Sequence, residues 1–169
     1  SINEGSVSIS DKFSLNEPVN ALKGEKTEEY LNCILKNLPW LKNNEDMPLI
    51  GLGGTIRTLG KIHRKTNDYP IEATHNYHLS AGDFEEIFAM LKECDAKERI
   101  KIKGLPQKRS DIILGGLYIL KCILNYSMCS KIIISGQGLR EGILYEQLFG
   151  KSFCGFTGVL SYSVDNTMN

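Results

Sequence analysis

KIIISGQGLREG, residues 131–142, is the stretch from which the fold of this chain can be worked out. Its first part, Lys131 to Ser135, is a β-branched run typical of a buried strand. Its second part, Gly136 to Gly142, combines glycines with an arginine and a carboxylate where a helix is expected to begin. In open α/β sheets, phosphates and nucleotides bind at such carboxyl ends of strands. The stretch therefore predicts an α/β fold and a candidate anion-binding turn.

A second strand-to-helix turn is predicted earlier in the chain. Leu49 to Leu52 is an apolar run too short for a helix, which predicts a buried strand, and Gly53-Gly54-Thr55 follows it. The backbone N–H groups and the Thr55 hydroxyl of this turn could hold a phosphate. Thr55 is also expected to cap a helix that continues to about Lys65. The alternative is a tight turn in which the glycines serve geometry alone.

Neither turn fits a standard nucleotide-binding motif. Five residues rather than four separate Gly54 from Gly60, and Ile62 stands where a P-loop has its metal-binding serine or threonine. The later turn resembles a spaced-glycine dinucleotide loop, but it lies near the end of the chain rather than after the first strand of its unit. Its alternative interpretation is that Arg140 and Glu141 pair with neighbouring groups and make the turn rigid.

The other elements follow from apolar spacing. The expected order is strand, helix, strand, helix, helix, helix, strand and helix, which indicates an α/β layer structure. The expected bounds are strand 5–10, helix 26–41 with an end or a kink at Pro39, strand 49–52, helix 55–65, a helix capped by Ser80, a basic hinge at 97–103, a long helix after Pro106, strand 131–135 and helix 139–148. Residues 67–79 are expected to form a loop and 150–169 an irregular tail. Three strands make a thin sheet, so we expect strands to be missing on the amino-terminal side.

Composition is that of an ordinary globular domain. The chain has 169 residues, of which 41% are hydrophobic, and its 20 basic residues balance 20 acidic ones. This balance gives no reason to expect nucleic acid or a membrane as partner. The five cysteines lack a CxxC pair, which indicates reduced core thiols rather than disulfides or a zinc site.

With no signal peptide apparent, a cytoplasmic location is expected. Because the chain begins at Ser1 rather than methionine and enters the expected strand at once, we expect it to be a piece of a longer protein.

Arg109 is a further candidate for binding an anion. It precedes the long helix, and a guanidinium there could hold phosphate oxygens through two parallel hydrogen bonds. The alternative is a surface salt bridge to Asp111 or Glu98. No Ser-His-Asp or Cys-His arrangement can be assembled, and no carboxylate stands out as a base that would activate water, so no catalytic residue and no metal ligand is assigned.

Taken together, the motifs resemble the exopolyphosphatase/guanosine-pentaphosphate phosphatase family. The segments that carry the resemblance are GGTIR at 53–57, GL at 104–105 with RSDII at 109–113 and Gly115, and SGQGLREG at 135–142. Residues 5–13 resemble the stretch after this family's second phosphate loop. The resemblance therefore covers about residues 1–149.

The resemblance implies both a fold and a site. The family has the actin-like fold of sugar kinases and heat-shock ATPases, in which two ribonuclease-H-like lobes close on a phosphate chain. This chain resembles the second lobe without its first strands; the first lobe and the catalytic glutamate have no counterpart. Two groups of residues match the family: Gly53, Gly54, Thr55 and Arg109 as phosphate- or nucleotide-binding residues, and Gly138, Arg140, Glu141 and Gly142 as a structural turn at the interlobe hinge.

The resemblance also implies an activity for the intact protein. That activity is hydrolysis of a terminal phosphoanhydride in polyphosphate or guanosine pentaphosphate, with a divalent metal such as Mg²⁺. The chain alone is expected to be inactive without its missing amino-terminal lobe. It is also expected either to self-associate as a homo-oligomer or to be poorly stable by itself, because missing strands leave a sheet edge unpaired. Two other functions remain open: a non-catalytic regulatory lobe that binds guanosine tetra- or pentaphosphate, and a dinucleotide-dependent oxidoreductase.

Overall fold

A computed structural model describes residues 2–68 and 74–149 of the chain. The chain divides into two compact units, the first ending at Gly136 and the second beginning at Gln137. The first unit holds a small sheet and its helices, and the described part of the second unit holds one helix. The protein is therefore of the α/β class, as the sequence predicts.

The sheet has three strands in the order β1-β3-β2, namely β1 (Leu49–Gly51), β2 (Tyr77–Ser80) and β3 (Lys131–Ile134). The central strand β3 is parallel to β1 and antiparallel to β2. Ile132 and Ile134 of β3 are fully buried, which confirms the predicted buried strand. Strand β1 is correctly placed by the sequence, but Ile50 is 61% exposed. Because β1 lies at an edge of the sheet, the prediction that it is buried is wrong.

Seven α-helices occur in the described residues: α1 (Ser6–Phe13), α2 (Ala21–Leu35), α3 (Gly54–Thr66), α4 (Ala81–Glu93), α5 (Ala96–Arg99), α6 (Ile113–Ser127) and α7 (Leu139–Phe149). Short 3₁₀ turns occupy Pro39–Leu41 and Gln107–Arg109. Helix α6 is the centre of the core, and the residues Ile113, Leu117, Leu120 and Leu124, which recur at helical spacing along it, are buried. Helix α4 begins after its predicted cap Ser80 and buries Phe84, Ile87, Phe88 and Leu91.

The strand expected at residues 5–10 is instead the helix α1. The Ser8 hydroxyl accepts a hydrogen bond from the Gly5 N–H at 2.9 Å, which caps the first turn. A Cβ built at Gly115 would lie 2.4 Å from the Ser6 carbonyl oxygen and 2.5 Å from Ser10 Oγ. Helix α1 therefore lies directly against a glycine of α6. This contact, which no local pattern reveals, favours a helix over the short apolar alternation.

Two further element boundaries differ from the sequence prediction. Helix α2 begins earlier, where Asn20 accepts a hydrogen bond from the Lys23 N–H at 2.8 Å, and it ends at Leu35 rather than at residue 41. Pro39, where an end or a kink was expected, begins a 3₁₀ turn. Proline disfavours helical backbone in the residue before it, so the helix ends ahead of Pro39. Residues 67–79 were expected to form a loop, but strand β2 begins within them at Tyr77. Residues 69–73 lie outside the described part of the chain.

The segment predicted as a basic hinge at 97–103 begins inside α5, and its Arg99 is fully buried. Cys122 and Cys129 are buried free thiols as expected, but Cys33 is exposed.

The expected tail at 150–169, with Cys154, lies outside the described residues. None of the described helices is long and apolar enough to cross a membrane.

Candidate anion-binding site

The turn from β1 into α3 leaves the amino terminus of a helix uncapped. Gly53 has φ +98° and ψ −174°, in a region that favours glycine. It occupies the cap position that the sequence assigned to Thr55, and within the described residues no side chain caps α3. The first N–H groups of a helix lack partners inside the helix and lie at the positive end of its dipole. The turn therefore offers backbone donors to an anion.

Arg109 lies directly against this turn. A Cβ built at Gly54 would lie 2.0 Å from Arg109 Nη2 and 2.3 Å from Cζ, so only glycine leaves room for the guanidinium. In the described part of the chain, Arg109 forms no salt bridge to Asp111 or Glu98, the alternative partners suggested by the sequence. The structure thus brings together Gly53, Gly54, Thr55 and Arg109, the four residues proposed for phosphate or nucleotide binding.

A second arginine reaches the same turn. Arg57 is exposed, and its Nε donates a hydrogen bond to the Gly53 carbonyl oxygen at 3.3 Å. Side chains in a helix tilt toward its amino terminus, so an arginine in the first turns points back to the uncapped end. Arg57 belongs to the segment 53–57 that carries the family resemblance, but it was not predicted as a site residue. Its position after Gly53 was the signal that could have identified it.

The hydroxyl of Thr55 is held by another helix. Ser6 Oγ and Thr55 Oγ1 lie 3.0 Å apart, and a Cβ built at Gly116 would lie 2.4 Å from Thr55 Oγ1. The amino termini of α1 and α3 therefore meet beside α6. Sequence reasoning missed Ser6 because it assigned this residue to a strand. The glycine pair Gly115-Gly116 in the sequence of α6 indicates close packing but does not identify the partner.

The arrangement is suited to an anion with several oxygens. It combines a helix amino terminus with two arginines, and in the described residues neither arginine is paired with a carboxylate. Guanidinium groups and free N–H groups are the donors that phosphates prefer. Within the described ranges, no group of three or more His, Cys, Asp or Glu side chains could hold a metal ion.

The later turn, in the second unit, is built differently. Gly138 N–H donates to Glu141 Oε2 at 2.7 Å, and Gly142 N–H donates to the Gly138 carbonyl oxygen at 3.0 Å. The carboxylate of the chain itself thus occupies the position an anion would take. Arg140 is exposed. A role of this turn at a hinge stays a prediction.

The chain is similar to known phosphatases. The profile of the Ppx/GppA phosphatase family matches residues 1–150. A bifunctional 3-dehydroquinate synthase/phosphatase from Fusobacterium nucleatum is 32% identical over 154 residues, which are 89% of this chain and 23% of the relative.

Solved structures give the same result. The type II variant of the Aquifex aeolicus Ppx/GppA phosphatase has a TM-score of 0.75 at 27% identity, over 87% of this chain and 48% of that chain. An exopolyphosphatase from Cytophaga hutchinsonii shares the fold, with a TM-score of 0.77 at 24% identity over 88% of this chain and 48% of its own. The chain spans about half the length of these solved relatives. It belongs to the Ppx/GppA phosphatase family.

Proposed function

We propose that this chain supplies phosphate-holding residues of a phosphoanhydride hydrolase that releases terminal phosphate from inorganic polyphosphate or guanosine pentaphosphate. The observation that carries the proposal is the Arg109 guanidinium lying against Gly54 at the uncapped start of α3. Membership of the Ppx/GppA family supports the reaction class.

The chain's own residues would bind and orient the phosphates. The guanidinium of Arg109 can donate two hydrogen bonds to phosphate oxygens, and the N–H groups of Gly54 and Thr55 can donate to further oxygens. Arg57 adds positive charge at the rim of the turn. Such preorganised donors stabilise negative charge that develops on phosphate oxygens during hydrolysis.

The group that activates water is proposed to lie in the other half of the intact protein. The Glu4 carboxylate accepts hydrogen bonds from Lys12, Ser8 and Tyr30. The Lys12 hydrogen bond, with those of Ser8 and Tyr30, lowers the Glu4 pKa to about 2, so this carboxylate is a poor base. We therefore expect the chain alone to bind phosphates without hydrolysing them.

The fold proposal is that this chain is the second, ribonuclease-H-like lobe of an actin-like fold without its first strands. An apolar groove of about 270 Å³ lies along the edge strand β1 and is lined by residues of β1, of the turn after it, of α3 and of α6, among them Ile50, Leu52, Ile119 and Ile123. An exposed apolar edge strand ordinarily pairs with another strand or is covered. Strands from the remaining half of the longer relatives would fill this groove.

Magnesium stays a proposal for the intact protein only. The described residues at the turn are arginines, glycines and hydroxyl-bearing side chains, which do not fit a resident metal. Magnesium usually binds through one or two carboxylates together with the phosphates of the substrate.

Calorimetric titration of the chain with tripolyphosphate, alongside a phosphate-release assay on the full-length gene product, tests the proposal. We expect Arg109→Gln to weaken tripolyphosphate binding by about 10- to 100-fold, because it removes charge-assisted hydrogen bonds. Lys108→Gln, which removes the same charge from an exposed neighbour, is the matched control and should change binding less than about twofold. Full-length protein that releases phosphate from neither polyphosphate nor guanosine pentaphosphate would contradict the hydrolase.

A second candidate function is binding of guanosine tetra- or pentaphosphate without turnover. It is favoured by a turn that offers anion donors while, among the described residues, no carboxylate pairs with Arg57 or Arg109. The same two assays separate the candidates: binding of these nucleotides by the full-length protein without phosphate release identifies the regulatory function.

A further inference from the structure

Arg99 is a fully buried guanidinium that joins three separate segments. Its Nε donates to the Leu91 carbonyl oxygen in α4 at 3.0 Å. Its Nη1 donates to the carbonyl oxygens of Leu15, shortly after α1, at 2.8 Å and of Ser110 at 3.3 Å. Ser110 immediately follows Arg109 in the chain.

The groups around Arg99 fix the orientation of its guanidinium. Burial lowers the pKa of Arg99, which reflects the cost of holding a charge away from water. In the described residues Arg99 forms no ion pair, so the backbone carbonyls are its acceptors. The planar guanidinium can satisfy three carbonyls only when they hold fixed positions around it. Removing it would leave those carbonyl oxygens buried without this donor.

The segment that carries Arg109 is held at both ends. Gly104 has φ +92°, and a Cβ built there would lie 2.7 Å from the Lys61 carbonyl oxygen, so the segment begins against α3. At its other end, Ser110 O accepts from Arg99. Within the segment, Ser110 Oγ donates to the Gln107 carbonyl oxygen at 2.9 Å and Ile112 N–H to that of Arg109 at 3.2 Å.

We propose that Arg99 is a positioning residue for phosphate binding, which holds the Ser110 carbonyl and thereby fixes the turn that places the Arg109 guanidinium against Gly54. The inference rests on the proposed function of Arg109 as a phosphate ligand. Arg99 itself is enclosed by protein and does not touch the anion. Its contribution is preorganisation, since a fixed arginine does not have to be ordered when the ligand binds.

A double-mutant cycle on the full chain tests this role. Lysine keeps the charge but lacks the planar fork, so Arg99→Lys is expected to weaken tripolyphosphate binding about tenfold when Arg109 is present. In the Arg109→Gln background the same change is expected to alter binding less than about twofold, because no guanidinium remains to be positioned. Urea unfolding of each variant checks that the folded chain is being compared.

A measurement on the unmutated chain covers the case in which Arg99→Lys does not fold. Hydrogen exchange should show the Arg109 and Ile112 amides protected before ligand is added, with little further protection in tripolyphosphate. Free exchange of both amides in the absence of ligand would overturn the inference.

The outcomes separate this inference from the proposed function. If Arg109→Gln loses affinity and folded Arg99→Lys keeps it, the positioning role fails and the phosphate site stands. An equal loss from Arg99→Lys in both backgrounds also overturns the positioning role. If tripolyphosphate binding does not depend on Arg109 at all, the proposed site itself fails.

Discussion

Two glycine-bearing turns, one after β1 and one after β3, follow neighbouring parallel strands and lead into helices, but only one is open to an anion. At the first turn, α3 has no side-chain cap in the described residues, and Arg109 lies against Gly54. At the second, Glu141 accepts the Gly138 N–H. The two turns look alike in the sequence because both contain spaced glycines. They differ in the structure because a carboxylate accepts a backbone N–H group at the second turn and, among the described residues, no side chain does so at the first.

The hydrogen bond that caps the second turn, from a backbone N–H to a carboxylate three residues further on, also occurs at the starts of other helices. In α4, the Ser80 N–H donates to Asp83 Oδ2 at 2.8 Å, and before α5 the Asp95 N–H donates to Glu98 Oε2 at 3.0 Å. In each case a carboxylate three residues further on supplies the negative charge that a helix amino terminus favours. An anion site therefore needs a helix start without such a carboxylate, and α3 meets this condition.

The largest expected difference between the two turns comes from adding one methyl group to each. Gly54→Ala should push the Arg109 guanidinium off the turn and weaken tripolyphosphate binding about tenfold, with a small change in stability because the displaced group is the end of a flexible side chain. Gly142→Ala is the control, since a Cβ there meets nothing within 4 Å. Titration calorimetry and thermal melts of both variants make the measurement. Equal affinities for the two variants would break the comparison.

Removing one exposed arginine from each turn should give a smaller difference. Arg57→Gln is expected to weaken tripolyphosphate binding about two- to fivefold, the usual range for one exposed charge near a ligand. Arg140→Gln should leave binding within about twofold, because its turn is already occupied by Glu141. Repeating the titrations at higher salt should reduce the Arg57 effect. A larger loss of affinity from Arg140→Gln than from Arg57→Gln would show that the anion binds at the second turn and not at the first.

Glu141→Gln tests the self-capped turn directly. The variant weakens the bond to the Gly138 N–H and is expected to cost roughly 0.5–1 kcal/mol of local stability at the start of α7, as for other helix caps. Faster hydrogen exchange of the Gly138 amide measures this effect. Tripolyphosphate affinity should not change. A loss of affinity would show that the second turn is itself part of the site.

The smallest expected effect is the acid dependence of the self-capped helix α4. Hydrogen bonding from the Ser80 N–H, with smaller contributions from the Ser80 hydroxyl and His63, lowers the Asp83 pKa below its ordinary value. A lowered pKa in the folded state gives stability that is complete above the unfolded value, about 3.9, and is lost as pH falls through the folded pKa. Urea unfolding between about pH 6 and pH 3 should therefore show a shallower decline for Asp83→Asn than for the unmutated chain. Identical slopes would contradict the capping role of Asp83.

Much of the fold was predictable because its signals are local. The β-branched run of β3, the apolar stripe of α6 and the Ser80 cap of α4 each specify their element without distant contacts. Strand β2 and the exposure of Ile50 were not predictable, because both depend on which strands lie beside them. Helix α1 was mistaken for a strand because a short alternation of apolar and polar residues fits both periods until its partner is known.

The sequence by itself determined the family, the strand-to-helix turns and the residue types suited to phosphate, because these depend on local spacing and on the chemistry of glycine, arginine and hydroxyl groups. Only the tertiary structure decided that Arg109 lies on Gly54, that Ser6 reaches Thr55, and that Arg99 holds the Ser110 carbonyl. The first two contacts join segments far apart in the chain, and they form because Gly54, Gly115 and Gly116 let those segments approach more closely than any side chain would allow. The third depends on the burial of the Arg99 guanidinium among backbone carbonyls.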